Sequence, residues 1–319
     1  MNLISTNIIK FVFQNKFMDL TVTYLIDEFY QVYDIENSSP AYRTSKDEYY
    51  VCRYCGENEK KKFKSRAHLL PEFTGNKDIF CYDECITCNQ LFGEYETSLN
   101  AFGGIKNVFL PIKGKNGYQK YKDSSKNSTI QYKDKNTLLN QVTGKDSDEI
   151  YKIEEGRLKV KAKTQSFIPL YVYKAIAKFA LSIMKKEELV KFKTTIDWLL
   201  DPDKLYDSTF PLFLIVNEDA RPPIIKPICV LFKKKKEFLC PEYCFVFAYG
   251  FHRYQIFLQD NEEDKKMEIT NQFYLPLNYH FVLKLDEEHI HFVPYNMNYL
   301  NKSAMMQQFS LGISDEPRK

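Results

Sequence analysis

The sequence predicts an α+β protein, with a small cysteine-stapled module preceding a larger domain of helices plus a mainly antiparallel sheet. Three observations carry this. Two identical Cys-x-x-Cys pairs, Cys52/Cys55 and Cys85/Cys88, bracket residues 56–84. Apolar residues recur at helical spacing over residues 168–200 and stop at Asp201-Pro202. Beyond residue 210 come short aromatic and β-branched runs with short polar connections, the pattern of antiparallel hairpins.

In chain order, residues 1–45 are expected to form a helical extension, because Phe11, Phe13, Phe17, Leu20, Tyr24, Leu25 and Phe29 make a rough helical stripe. Residues 46–104 hold five of the eight cysteines. Here Ser65 to Pro71 reads as a strand running into a loop, and Asn89 to about Leu99 as a helix with Leu91, Phe92, Tyr95 and Leu99 as its apolar positions. Residues 105–165, rich in Lys, Asn, Ser and Gly, read as a basic linker with hairpins, the clearest being 149–153 and 157–162 around Glu155-Gly156. Residues 166–319 read as a regulatory or recognition domain. Its helices come first, and its strands are expected at 210–216, 224–232, 244–249, 253–258, 280–285 and 289–293.

The net charge of +3 says little, but its distribution says more. Residues 1–50 carry −3, 51–104 carry −1, 105–165 carry +7 and 166–319 carry 0. A basic stretch directly after the cysteines suits a phosphate backbone, and it equally suits a solvated linker. Lys10 and Lys16 interrupt the only N-terminal stretch that could serve as a leader, and no apolar run reaches the roughly 20 residues that span a bilayer. The expectation is a cytoplasmic protein without a membrane partner. In a reducing compartment, eight cysteines point to metal rather than to disulfides.

Each Cys-x-x-Cys turn brings two thiolates to one cation, and two such turns complete a tetrahedral site, so Cys52, Cys55, Cys85 and Cys88 are expected to hold structural zinc. Cys81 is a possible substitute ligand. Cys229, Cys240 and Cys244 lie in or beside apolar strands and read as small buried hydrophobes. Between the pairs lies His68, the only histidine in the first 250 residues, in the segment Lys64-Ser-Arg-Ala-His68-Leu-Leu-Pro-Glu72-Phe-Thr-Gly-Asn76.

From Cys52-x-x-Cys55-Gly56, through Ala67-His68-Leu-Leu-Pro71-Glu72 and Gly75-Asn76, to Cys85-x-x-Cys88-Asn89, Phe92 and Glu96, the chain resembles the HNH endonuclease family. The likeness is greatest to its four-cysteine, restriction and anti-phage branch, and it covers about one sixth of the chain. It implies a ββα-metal module: a two-stranded hairpin and a helix around a catalytic cation, magnesium or manganese, separate from the zinc. It implies His68 as the base that deprotonates water and Asn89 as a catalytic-metal ligand; Glu96, seven residues after Asn89 on the same face of the expected helix, is read as the replacement second ligand. It implies nucleic acid, DNA first, as partner and substrate, and a role in defence. Lys64 and Arg66 flank His68 and are candidates to hold phosphates. Ala67 stands where most of the family has an acidic or histidine ligand, and Glu72 and Glu84 are further nearby carboxylates. The alternative is a catalytically inactive zinc module that binds nucleic acid or protein. Either way, residues 166–319 are the expected place for a partner protein or for self-association.

Overall fold

The computed structural model describes residues 5–13, 16–25, 33–38, 50–122, 128–142, 151–207, 212–218, 223–235, 240–258, 264, 272–276 and 291–312. In chain order the strands are β1 (Ser5–Phe13), β2 (Lys16–Leu25), β3 (Tyr33–Ser38), β4 (Ala67–His68) and β5 (Phe80–Cys81). Helix α1 (Ile86–Gly103) follows, then β6 (Lys113–Gly114), β7 (Gly117–Tyr118), β8 (Lys120–Lys122), β9 (Ser128–Tyr132), β10 (Leu138–Val142), β11 (Tyr151–Glu154) and β12 (Arg157–Lys163). Helices α2 (Pro169–Ile183), α3 (Lys186–Leu189) and α4 (Lys193–Leu200) lead into β13 (Phe213–Glu218), β14 (Ile224–Lys234), β15 (Tyr243–Gly250) and β16 (His252–Leu258). Last come β17 (Gln272–Pro276), β18 (His291–Asn296) and β19 (Met306–Gly312).

The organising layer is a six-stranded antiparallel sheet in the order β18-β13-β16-β15-β14-β3. Its central strands β15 and β16 are buried along their whole length, so both faces of the sheet are covered there. One cover is α2, apolar nearly all round and buried at every residue but Tyr171, as befits a helix inside a core. Phe179 of α2 meets Phe247 of β15 with ring centroids 5.2 Å apart, and Tyr173 donates to the Phe257 carbonyl of β16 at 2.8 Å. The expected strands at 224–232, 244–249 and 253–258 are present with small extensions, and the one at 280–285 lies outside the described residues. Among the described residues no helix is long and apolar enough to cross a membrane.

The helical reading of residues 1–45 is corrected by the structure. Ser5–Phe13, Lys16–Leu25 and Tyr33–Ser38 are strands. β1 and β2 pair antiparallel, β2 pairs parallel with β17, and β3 forms the edge of the six-stranded sheet against β14. The physical reason lies in the side chains: Ile8, Ile9, Val12, Thr21, Val22 and Thr23 favour extended backbone, and pairing with distant strands selects the period of two over the helical one.

The basic stretch does contain hairpins. β11 and β12 are joined at Glu155 (φ 53°) and Gly156 (φ 69°), two left-handed residues in succession, which is the tight turn that matches strand twist. One hydrophobic core runs without a break from Cys52, Leu69, Phe92 and Leu99 to Phe179, Phe245 and Ile256, so the cysteine segment and the large sheet share their interior. Gly75 marks one such contact. Its φ of 100° suits glycine, and a Cβ there would lie 2.7 Å from the Ile225 carbonyl oxygen of β14. Gly75→Ala is therefore expected to lose about 2 kcal/mol in urea unfolding through backbone strain and that clash. A stability equal to wild type would mean the loop is not seated on β14.

Candidate functional site: a four-cysteine centre beside a histidine cleft

The first knuckle turns at Gly56 (φ 73°), whose amide donates to the Cys52 carbonyl at 3.0 Å. The second straddles the start of α1, with Cys85 as its N-cap and Cys88 in the first turn. The four sulfurs lie within 4.8 Å of one another, with Cys52 and Cys88 at 3.8 Å and Cys55 and Cys85 at 3.6 Å. A tetrahedral ion with metal–sulfur bonds of about 2.3 Å places its ligands about 3.8 Å apart, so the cluster fits a metal such as zinc. The Cys88 thiol, with help from backbone amides, holds the Cys52 thiol down to about 5 against its burial. Burial pushes Cys55 up to about 11. All eight cysteines are free, and Cys81 stands outside the cluster with its thiol 3.3 Å from the Asp83 carboxylate.

The residues between the first two cysteines dock the centre onto the large domain. Arg53 pairs with Asp83 at 3.1 Å and donates to the Leu181 carbonyl at 2.9 Å and to the Ser182 carbonyl. It thereby caps the C-terminal end of α2, where carbonyls lack helical partners. The Tyr54 hydroxyl meets Ser182 Oγ at 2.7 Å.

Beside the centre, β4, the loop after it, α1 and the β6–β7 hairpin enclose a cleft of about 650 Å³. His68 ends β4 and lines this cleft with Arg66, Glu72, Asn89, Glu96, Lys115 and Lys120. Its Nε2 lies 3.3 Å from Glu72 Oε1, four residues on, and both side chains are 26% exposed. Its Nδ1 is buried with no hydrogen-bond partner among the described residues. A carboxylate on Nε2 favours the tautomer with the proton there, leaving the Nδ1 lone pair unprotonated; because that atom is buried, water reaches it only after a small turn of the ring. Burial pulls the imidazole below its ordinary value, more than Glu72 raises it. Lys77 shares Glu72 at 3.0 Å and, with burial opposing, holds its carboxyl low. The ring of His68 rests on Phe80 of β5, 4.6 Å between centroids.

The Gly75-Asn76 turn is structural. Asn76 donates to the carbonyls of Leu70 (2.8 Å) and Ile79 (2.9 Å), and its Oδ1 accepts from the Ile79 amide at 3.0 Å. The buried amide thus ties the loop between β4 and β5 and fixes where His68 and Glu72 sit.

Behind the cleft Lys178 of α2 is fully buried. Its ammonium lies 3.2 Å from Glu84 and 3.8 Å from Glu96, and it donates to the carbonyls of His68 (3.3 Å) and Leu69 (3.4 Å). Burial alone would lower the Lys178 pKa, but the two carboxylates outweigh it and raise the value, so it stays charged. Burial drives the Glu96 carboxyl up to about 7, although Lys178 opposes this.

Of the residues expected from sequence, His68, Arg66, Asn89 and Glu96 share the one cleft, while Lys64 is exposed on the approach to β4 and is not part of its lining. Among the described residues only the four cysteines form a group of three or more His, Cys, Asp or Glu side chains close enough to hold an ion. Glu96 instead faces Lys178. Sequence reasoning missed the contact of Glu72 with His68, Lys178 itself, and the cleft lysines Lys115 of the β6–β7 turn and Lys120 of β8. One signal was present: Lys174 and Lys178 recur four residues apart in an otherwise apolar helix. Compared with known proteins, the chain matches no family model, no curated protein and no solved structure, so the site is read from its own geometry.

Two outcomes follow. The purified protein is expected to hold one zinc per chain by elemental analysis, and Cys85→Ser is expected to lose the metal and lower the melting temperature; a zinc-free protein of full stability would remove the metal reading. Lys178→Met is expected to cost about 3 kcal/mol, because the buried Glu84 and the part-buried Glu96 lose their cation, and adding Glu84→Gln should recover part of it. A single variant as stable as wild type would show that the ammonium is dispensable.

Proposed function

We propose that this protein is a metal-dependent endonuclease of the HNH type, hydrolysing phosphodiester bonds in nucleic acid, with DNA as the first candidate. One observation carries the reading. His68 is set against Glu72 with its other ring nitrogen unpartnered, in a cleft walled by Arg66, Lys115 and Lys120. Hydrolysis needs a neutral base to take a proton from water, and His68 with a depressed pKa supplies one at neutral pH. Glu72 orients the ring and stabilises the imidazolium formed as the proton arrives. The three cations face the phosphates and hold the strand.

A magnesium or manganese ion would add charge neutralisation on the phosphate and on the departing oxygen. Asn89 and Glu96, on one helix along the cleft, are the side chains that would hold it. Two protein ligands with water and substrate phosphate completing the shell is a common arrangement for magnesium. The inactive alternative draws on two facts: Ala67 offers no ligand, and Glu96 is 3.8 Å from Lys178. It predicts nucleic-acid binding without cutting.

The test incubates protein with supercoiled plasmid and with labelled single-stranded DNA and RNA, with magnesium or manganese supplied or chelated. Cutting is expected only with the cation, and His68→Ala should lower it by about 100-fold or more. Activity that survives the substitution would assign the base elsewhere, and no cutting on any substrate would favour the inactive module. The pH dependence is a second check. Neutral imidazole is the active form, so at saturating cation, which would keep Glu96 ionised, rate is lost as pH falls through the His68 pKa, and the plateau should extend below about 6.5. Glu72→Gln removes the carboxylate that raises this pKa, so the acid limb should move to lower pH while the rate drops about tenfold; an acid limb that stays in place would separate Glu72 from the base.

A further inference from the structure

The outward face of β12 carries a row of cations. Arg157, Lys159, Lys161 and Lys163 are all exposed, while the alternate Val160 and Ala162 turn into a second core with Ile105, Val108, Tyr121 and Ile130. Alternate residues of a strand stand about 6.7 Å apart, so the row is evenly pitched and runs for roughly 20 Å. Lys152 of β11 stands directly across from Lys159. On the other flank the register places Ser310, Gln308 and Met306 of β19 beside Lys159, Lys161 and Lys163, all uncharged. The only acidic residue in these three strands is Glu154, which pairs with Lys159 at 2.7 Å and Lys152 at 3.2 Å. Such an exposed pair is weak and gives way readily. Among the described residues Lys161 and Lys163 form no ion pair. Four like charges in file match a partner that is linear and anionic, and Glu154 answers only the Lys152–Lys159 end of the row.

We propose that this face of β12 is a second nucleic-acid contact, a track on which Arg157, Lys159, Lys161 and Lys163 meet successive phosphates of one strand. The even pitch is close to the spacing between neighbouring phosphates along a polynucleotide, and a polynucleotide carries its charge at every repeat. The contact is to backbone, so it adds affinity without sequence preference. The last residue of the row is tied to the strand that borders the cleft: the Lys163 carbonyl accepts from the Tyr121 hydroxyl of β8 at 2.8 Å, and Lys120, the residue before Tyr121 and on the opposite face of that strand, lines the cleft. The track extends the nuclease reading by assigning it a substrate-holding surface, and it is tested without any cutting.

The experiment uses the full chain carrying His68→Ala, titrated with a labelled 30-nucleotide single strand and with the matching duplex over a range of salt. It is repeated with Lys159→Gln, Lys161→Gln and Lys163→Gln added together. Each phosphate contact contributes about 0.7 to the salt slope for a single strand, so losing three should flatten the slope by about 2 and weaken binding at least tenfold at low salt. Unchanged zinc content and melting temperature would certify the fold. A slope and affinity equal to those of the parent, no binding by the parent, or equally tight binding to polyglutamate or anionic vesicles would each overturn the track. Wild-type cutting with no effect of the three lysines on binding would sink the track and keep the nuclease. Lysine-dependent binding by a wild type that never cuts would do the reverse.

Discussion

The ammonium of Lys178 is the contact on which the arrangement of this molecule depends. It comes from the helix that packs on the large sheet, yet its partners all belong to the cysteine module: two carboxylates, Glu84 and Glu96, and the carbonyls of His68 and Leu69. A charge removed from water costs several kcal/mol unless it is met by opposite charge and hydrogen bonds. Here the requirement is met only if the β4 strand, the residue before Cys85 and the middle of α1 converge on one point of α2. Arg53 imposes the same condition at the end of α2. A small module with little core of its own is thus fixed to a larger body by polar contacts inside a shared hydrophobic interior.

The cleft inherits its electrostatics from this arrangement. Lys178 holds the backbone of His68 from behind, Glu72 takes one side of its ring, and burial keeps the imidazole neutral. The opposite wall is delivered by the β6–β7 hairpin, which belongs to the most basic stretch of the chain. A neutral base facing cations is an arrangement suited to anions that react with water. A chain of side-chain hydrogen bonds also leads from the cleft into the sheet: Asn100 donates to Gln119 (3.2 Å), Asn107 donates to Asn100 (2.8 Å), Asn107 Oδ1 accepts from His252 (2.8 Å), and His252 Nδ1 accepts from the Tyr254 hydroxyl (3.0 Å). Burial keeps His252 neutral, so this chain is not charged.

Local chemistry was the legible part of the sequence. Two Cys-x-x-Cys turns announce a four-sulfur site because their spacing allows little else, and the hairpin at Glu155-Gly156 is written in its turn residues. The apolar periods of α2 and β14 to β16 were readable for the same reason. The first 45 residues were misread because Phe11, Phe13 and Phe17 fit a helical stripe about as well as an alternating one; in the structure these three pair locally between β1 and β2, while β2 and β3 find further partners about two hundred or more residues away in β17 and β14. Glu72 was visible but had no role until the loop tied by Asn76 brought it to His68. Lys178, 110 residues from His68, could not be placed at all. Long-range polar contacts leave no period in the sequence.

The most direct test of the cleft as a phosphodiester-hydrolysing centre is a crystal structure of the His68→Ala protein with a short oligonucleotide and a divalent cation. The expected result is a backbone phosphate seated between the vacated imidazole position and Lys120, with Asn89 beside it. Nucleic acid bound across another face, with the cleft clear of phosphate, would contradict it.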